Sequence, residues 1–64
     1  MNEQTFRLYI RTESDAFITD RGAEVSRLLR SVADRIESGE DFSHYRTLFD
    51  LNGNDVGRAA FKPE

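Results

Sequence analysis

The chain contains no cysteine and no tryptophan, and only one proline, one histidine and one lysine. Without cysteine there is no disulfide, no thiolate zinc site and no thiol nucleophile. No apolar run approaches the ~18 residues that suggest a membrane-spanning helix. The first stretch, Met1 to Arg11, alternates and carries charge, unlike the continuous apolar segment of a secretory leader. The expected location is therefore cytoplasmic. Basic residues are outnumbered: twelve acids face nine bases, for a net charge of −3. That balance weighs against a nonspecific nucleic-acid binder, which needs a basic footprint. The length of 64 residues allows a single domain spanning 1–64. A core this small has little apolar volume to spare for a deep, water-excluding pocket, which argues against most enzymes.

What is present is more specific. Eight of the nine bases are arginine, the cation suited to bidentate pairing and to interfaces, although composition alone is not a site. The stretch Thr5 to Thr12 alternates strictly, with Phe6, Leu8 and Ile10 on one face and Arg7, Tyr9 and Arg11 on the other. This period of two predicts a half-buried strand over about 5–12. Val25, Leu28, Leu29, Val32 and Ile36 then recur at helical spacing and predict a helix over 20–38. Thr19 or Asp20 would cap its start and Ser38-Gly39 would end it, Gly39 taking the left-handed position. Glu24, Arg27, Arg30, Ser31, Asp34 and Glu37 fall elsewhere on the helix, with Arg30 and Asp34 spaced to pair.

The segment 45–62 reads as a hairpin around Asn52-Gly53. Two registers compete. A two-residue turn sets Phe49 opposite Val56 and Asp50 opposite Asp55, facing two like charges. A type I turn from Asp50 to Gly53, closed through a bulge, sets Leu48 opposite Val56 and avoids that repulsion. The second is preferred. The fold class is α+β, a β-α-β-β domain with one helix on a three-stranded antiparallel sheet and the last strand in the middle. The expected core is Phe6, Leu8, Ile10, Val25, Leu28, Leu29, Val32, Ile36, Val56 and one of Leu48 and Phe49. Tyr9, Phe17, Phe42, Tyr45 and Phe61 are then a surplus of aromatics available to an interface.

Candidate chemistry is sparse. Asp50 to Asp55 resembles a calcium loop only briefly, because the sixth and twelfth positions hold Asp55 and Phe61 where glycine and a bidentate glutamate are needed. His44 follows Ser43, but sequence neighbours do not make a nucleophile–base pair and no acid is placed to orient the imidazole. Glu40-Asp41 lacks an apolar wall to raise a carboxyl pKa. Gly53 and Gly57 lie in a hairpin and cannot cradle a phosphate ahead of a helix. No cofactor, metal or catalytic residue is expected, and the chain is not read as an enzyme.

Binding is the remaining class. Arg7, Tyr9 and Arg11 on the outer face of the first strand offer an aromatic anchor between two guanidinium groups. Asp15, Glu40 and Asp41 are acids that would steer the protein toward a basic partner; turn chemistry alone also accounts for acids at such positions. Alternatives are a self-associating structural module using the bare sheet face or an edge, and a nucleic-acid-binding module using Arg7, Arg11, Arg46 and Arg58. The net charge ranks the last lowest.

Three motifs carry a resemblance: Asp15-Ala16-Phe17; Ala23-Glu24-Val25-x-Arg27-x-Leu29-Arg30-x-x-Ala33-Asp34-Arg35-Ile36-Glu37-x-Gly39; and Asp50-x-Asn52-Gly53-Asn54-x-Val56-Gly57. Together they resemble a group of small bacterial and phage or prophage proteins, over roughly residues 6 to 58. The chain departs from that pattern at Ala59, where an aromatic is usual, and carries Phe61 instead. The matching residues are mostly core and turn residues, so the resemblance implies a fold and a context and transfers no functional residue. The implied context is a phage-type inhibitor or modulator, such as an anti-CRISPR protein, that blocks a host protein by stoichiometric occlusion of its surface. The implied partner is a host protein, including a nucleic-acid-binding complex, with no membrane, no small-molecule substrate and little direct nucleic-acid binding.

Overall fold

The computed structural model describes residues 4–63; the ends of the 1–64 span, 1–3 and 64, lie outside the described residues. The elements are β1 (Gln4–Ile10), a 3-10 turn (Asp15–Phe17), α1 (Arg21–Glu37), β2 (Arg46–Phe49) and β3 (Asp55–Pro63). The strands form one sheet in the order β1-β3-β2, with both pairings antiparallel. The expected α+β architecture is the one that forms. β3 lies centrally and satisfies its backbone groups on both edges.

The helix boundaries follow from local chemistry. Asp20 is the N-cap, and its carboxylate accepts from the Ala23 amide at 3.0 Å. At the other end the Gly39 amide donates to the Ile36 carbonyl and the Glu40 amide to the Arg35 carbonyl. That pair of bonds is the Schellman closure, with Gly39 at φ +93°. Its last carbonyls are thereby satisfied without a longer helix.

The hairpin takes the turn from Asp50 to Gly53. The Gly53 amide donates to the Asp50 carbonyl at 3.0 Å, and the Asp50 amide donates to the Asn54 carbonyl at 3.0 Å. Gly53 sits at φ +82°, a conformation that side chains with a Cβ resist. The bulge is present, but its partners differ from expectation. Phe49 pairs with Asp55 and Leu48 pairs with Gly57, leaving Val56 as the extra residue of β3. Leu48 and Val56 still share the core, while Phe49 turns outward.

The core holds Phe17, Leu28, Val32, Phe42, Leu48, Val56 and Ala59, with Leu8, Ile10, Ala16, Val25 and Ile36 packed against it. Two expected members are displaced: Leu29 is 47% exposed and Phe6 39%. The buried line along α1 runs through Glu24, Leu28 and Val32, spaced by four residues, so Leu29 sits at its border, beyond the reach of a three-stranded sheet. Glu24, expected away from the buried face, lies on it. Phe6 instead closes one end of the core, edge-on to Phe61 at 4.9 Å and tilted against Phe42 at 6.2 Å.

The aromatic surplus is also smaller than expected. Phe17 and Phe42 are both 2% exposed. Each enters the core from a connecting segment: Phe17 ends the 3-10 turn, and the Phe42 carbonyl is fixed by the Phe61 amide at 2.8 Å. Among the described residues no helix is long and apolar enough to cross a membrane.

Candidate interaction surface on the outer sheet face

Residues paired across a sheet point to the same side. Leu8 pairs with Ala59, and Ile10 and Leu48 both pair with Gly57, on the side that the helix covers. The opposite side carries Arg7 with Ala60, Tyr9 with Arg58 and Thr47, Thr5 with Lys62, and Phe49 with Asp55. Ala60 is completely buried on this outer side and lies outside the core cluster, so the longer side chains around it form a layer of their own.

That layer is organised around Arg58. Its guanidinium lies 5.4 Å from the Tyr9 ring and 5.2 Å from the Tyr45 ring. The Arg58 Nε donates to the Tyr9 hydroxyl. The Lys62 ammonium lies 5.0 Å from the Tyr45 ring. Each such contact is worth ~0.5–1 kcal/mol at an exposed site, enough to bias the rotamers of rings that stay open to solvent. Tyr9 is 42% exposed, Tyr45 40% and Phe49 54%.

Arg11 extends the face. Its Nη2 donates to the Asp55 carbonyl at 2.8 Å and contacts the Asp55 carboxylate at 3.3 Å. Both side chains are more than half exposed, so the ion pair itself contributes little. Arg7 Nε donates to the Thr5 hydroxyl at 3.3 Å. Between these groups lies a polar depression of about 190 Å³, lined by Arg11, Thr47, Asp55, Gly57 and Arg58. A larger and more open hollow of about 580 Å³ is lined by Thr12, Glu13, Phe17, Ile18 and Arg21; no convergent set of chemically active groups lines it.

The expected site residues divide into two sets. Arg7, Tyr9 and Arg11 share the outer face, as the alternation of the strand requires. The acids do not join each other. Asp15 lies in the 3-10 turn before α1, whereas Glu40 and Asp41 follow its far end, and a 17-residue helix is about 25 Å long. Glu40 accepts from Arg35 at 3.0 and 2.6 Å and contacts Arg46 at 3.1 Å. The Arg35 hydrogen bond, with Arg46 helping, holds its carboxyl below the ordinary value. Asp41 accepts from the Ser43 amide at 2.8 Å, and Ser43 lowers its pKa. Arg46 pairs with Ala59 on the helix side, which separates it from Arg7, Arg11 and Arg58.

Sequence reasoning missed two buried carboxylates. Glu24 accepts from Arg27 Nε at 2.7 Å, from Arg27 Nη2 at 2.9 Å and from the Leu51 amide at 3.0 Å. The Arg27 hydrogen bond lowers its pKa against the opposing effect of burial. Asp50 accepts from the Ser14 hydroxyl at 2.5 Å, from the Asn52 and Asn54 amides at 2.9 Å each, and from Asn54 Nδ2 at 3.1 Å. The Ser14 bond and the turn amides hold its carboxyl at about 2. The Asp50-x-Asn52-Gly53-Asn54 turn was the available signal for the second, since aspartate readily accepts from amides just ahead of it. No local signal marked the Ser14 or Leu51 contacts.

Both carboxylates tie the helix or the 3-10 loop to the hairpin, and their oxygens are engaged in doing so. Among the described residues no three histidine, aspartate or glutamate side chains converge as metal ligands. No protein-family model, curated protein or solved structure matches the chain.

Proposed function

We propose that this protein is a stoichiometric binding module without a catalytic role, and that the outer face of its sheet meets a macromolecular partner carrying negative charge. The observation behind this reading is the series Tyr9, Arg58, Tyr45 and Lys62, in which cations and exposed rings already hold one another in place. Tyrosine and arginine account for much of the binding energy at interfaces where they become desolvated. Groups held in their bound arrangement lose less freedom on association. Arg7 and Arg11 extend the cationic surface along β1, and Asp55 is the one acid that the strand register sets among these groups within the described residues.

Asp15, Glu40 and Asp41 are secondary here, because they are dispersed and two of them are occupied by internal hydrogen bonds. The phage-type context implied by the sequence motifs is compatible with this reading. An inhibitor of a host complex, such as an anti-CRISPR protein, acts by occupying a surface, and the surface occupied would be anionic where it meets Arg58.

Amide chemical-shift mapping tests the proposal with polyglutamate as a polyanion and polylysine as a polycation. Polyglutamate is expected to give saturable shifts at Arg7, Tyr9, Arg11, Thr47, Arg58 and Lys62. Saturable shifts with polylysine alone, centred on Asp15, Glu40 and Asp41, would overturn it.

A further inference from the structure

The outer sheet face combines two features that ordinary anion binding does not require together. One is a cationic track, made by Arg7, Arg11, Arg58 and Lys62. The other is a set of exposed rings, Tyr9, Tyr45 and Phe49, contributed by the two outer strands and the segment leading into β2. A folded acidic protein surface would use the cations and can also cover tyrosines. Exposed rings interleaved with cations on one sheet face match, in addition, the repeat of bases and phosphates along a nucleic-acid strand.

We infer that the occupant of this face is a single-stranded nucleic acid, with its bases against Tyr9, Tyr45 and Phe49 and its phosphates on Arg7, Arg11, Arg58 and Lys62. This rests on the proposed role of the outer face and names the partner's class. Unstacked bases present a flat π-surface whatever their identity, so aromatic side chains bind them without reading sequence. The backbone supplies the negative charge that the cations match. The depression lined by Arg11, Thr47, Asp55, Gly57 and Arg58, about 190 Å³ in volume, is polar; Arg11 offsets the Asp55 carboxylate there, and Arg58 and the Thr47 hydroxyl are the donors for a phosphate. Duplex DNA fits less well, because its bases are already stacked and unavailable to the rings.

The net charge of −3 does not oppose this assignment, because the fold segregates charge. Glu24 and Asp50 are buried in internal hydrogen bonds. Glu40 is neutralised by Arg35 and Arg46 on the helix side. Asp15 and Asp20 lie in the loop and cap before α1, and Asp34 and Glu37 on the helix. Among the described residues the strand pairings set Arg7, Arg58 and Lys62 on the outer face with Asp55, and Arg11, just past β1, engages that Asp55. The described part of this face thus carries more cations than acids, although the chain as a whole is acidic.

The test is fluorescence anisotropy with labelled ten-nucleotide oligothymidylate and oligouridylate, beside duplex DNA and labelled polyglutamate of similar charge. Both single strands should bind more tightly than the duplex. With two to four of these cations meeting phosphates, the slope of log affinity against log salt should be about −1.5 to −3. Phe49→Ala should weaken oligonucleotide binding by roughly 5- to 150-fold and leave polyglutamate binding nearly unchanged, whereas Tyr45→Ala, which also releases Arg58 and Lys62, should weaken oligonucleotide binding by a larger factor than polyglutamate binding. Arg58→Gln should weaken both. Leu29→Ala, on the helix, should change neither, and circular dichroism should show each variant folded.

Equal affinity for single strand, duplex and polyglutamate, with no effect of Tyr45→Ala or Phe49→Ala, would overturn the nucleic-acid assignment and leave the anionic-partner reading standing. Absence of binding to every polyanion at low salt would overturn both.

Discussion

Gly57→Ala is the substitution this fold should tolerate least. Gly57 lies in the central strand, paired with Ile10 on one side and with Leu48 on the other. A methyl group built on its Cα would stand 2.0 Å from the Tyr9 carbonyl oxygen and 3.0 Å from both the Tyr9 carbonyl carbon and the Ile10 Cα. All three are backbone atoms, so no side-chain rotation relieves the overlap. Carbon and oxygen ordinarily approach to ~3.3 Å at closest, so β1 must move from β3 by an ångström or more at this point. Overpacking of this kind costs ~1–3 kcal/mol, and each ladder hydrogen bond lost with it adds about 1 kcal/mol. With two such bonds lost, the sum of about 3–5 kcal/mol approaches the whole stability of a domain near the low end of the usual ~5–15 kcal/mol. At roughly 4–8 °C per kcal/mol for a domain of this size, the melting temperature should fall by more than about 12 °C.

Gly22→Ala is the matched control. The nearest heavy atom to its added methyl is Asp20 Oδ1 at 3.6 Å, an ordinary contact, and alanine is favoured over glycine in a helix by up to ~1 kcal/mol. It should raise the melting temperature by a few degrees. Thermal and urea unfolding followed by circular dichroism reads both. If Gly57→Ala melts within about 4 °C of the parent, the shift expected for a change near 1 kcal/mol, the close approach of β1 and β3 is misplaced and the reasoning fails.

Three further outcomes follow from the core and the buried carboxylates. Leu48→Ala should cost ~2–5 kcal/mol, because Leu48 is only 1% exposed, whereas Leu29→Ala should stay within about 0.5 kcal/mol of the parent; urea midpoints in the reverse order would misassign the helix face. Glu24→Gln should cost about 1–3 kcal/mol by weakening the Arg27 contact, moderated because the Arg27 side chain is 38% exposed; an unchanged urea midpoint at constant m-value would contradict it. Asp50 has a folded pKa of about 2, below the ordinary 3.8, so the stabilisation it provides is complete above the unfolded value and is lost as pH falls from about 4 toward 2. Asp50→Asn should flatten the stability–pH curve over that window, and parallel curves for parent and variant would refute the assignment.

The legible parts of this protein are those decided within a few residues. β1 alternates because successive side chains on a strand point to opposite faces, and that alternation set Arg7, Tyr9 and Arg11 together before any partner strand was known. Asp20 and Gly39 mark the helix because capping is a contact between neighbours in sequence. The bulge proved harder to place. Its turn was readable from Asp50-x-Asn52-Gly53, but whether Val56 or Gly57 meets Leu48 depends on which residue of β3 can lie flat against β1, and Gly57 alone lacks the Cβ that would strike Tyr9. Leu29 was misread because spacing defines a stripe and does not say how wide a sheet will cover it. Phe17 and Phe42 were misread because segments outside helix and strand carry no periodicity to show which way a ring points.

The order of elements, the caps, the turn and the alternating face of β1 each rest on interactions between residues close along the chain, and are therefore written in it directly. Tertiary structure decided the rest. Placing β3 between β1 and β2 brings Arg58 to Tyr9, 49 residues away, and to Tyr45. It puts Arg46 on the other side of the sheet, with Glu40. Folding also buries Glu24 and Asp50 against donors from distant segments, removing two acids from the surface. Net charge is a sum over the chain and is blind to such placement. The basic, aromatic face exists because strand pairing gathers its members from both ends of the chain.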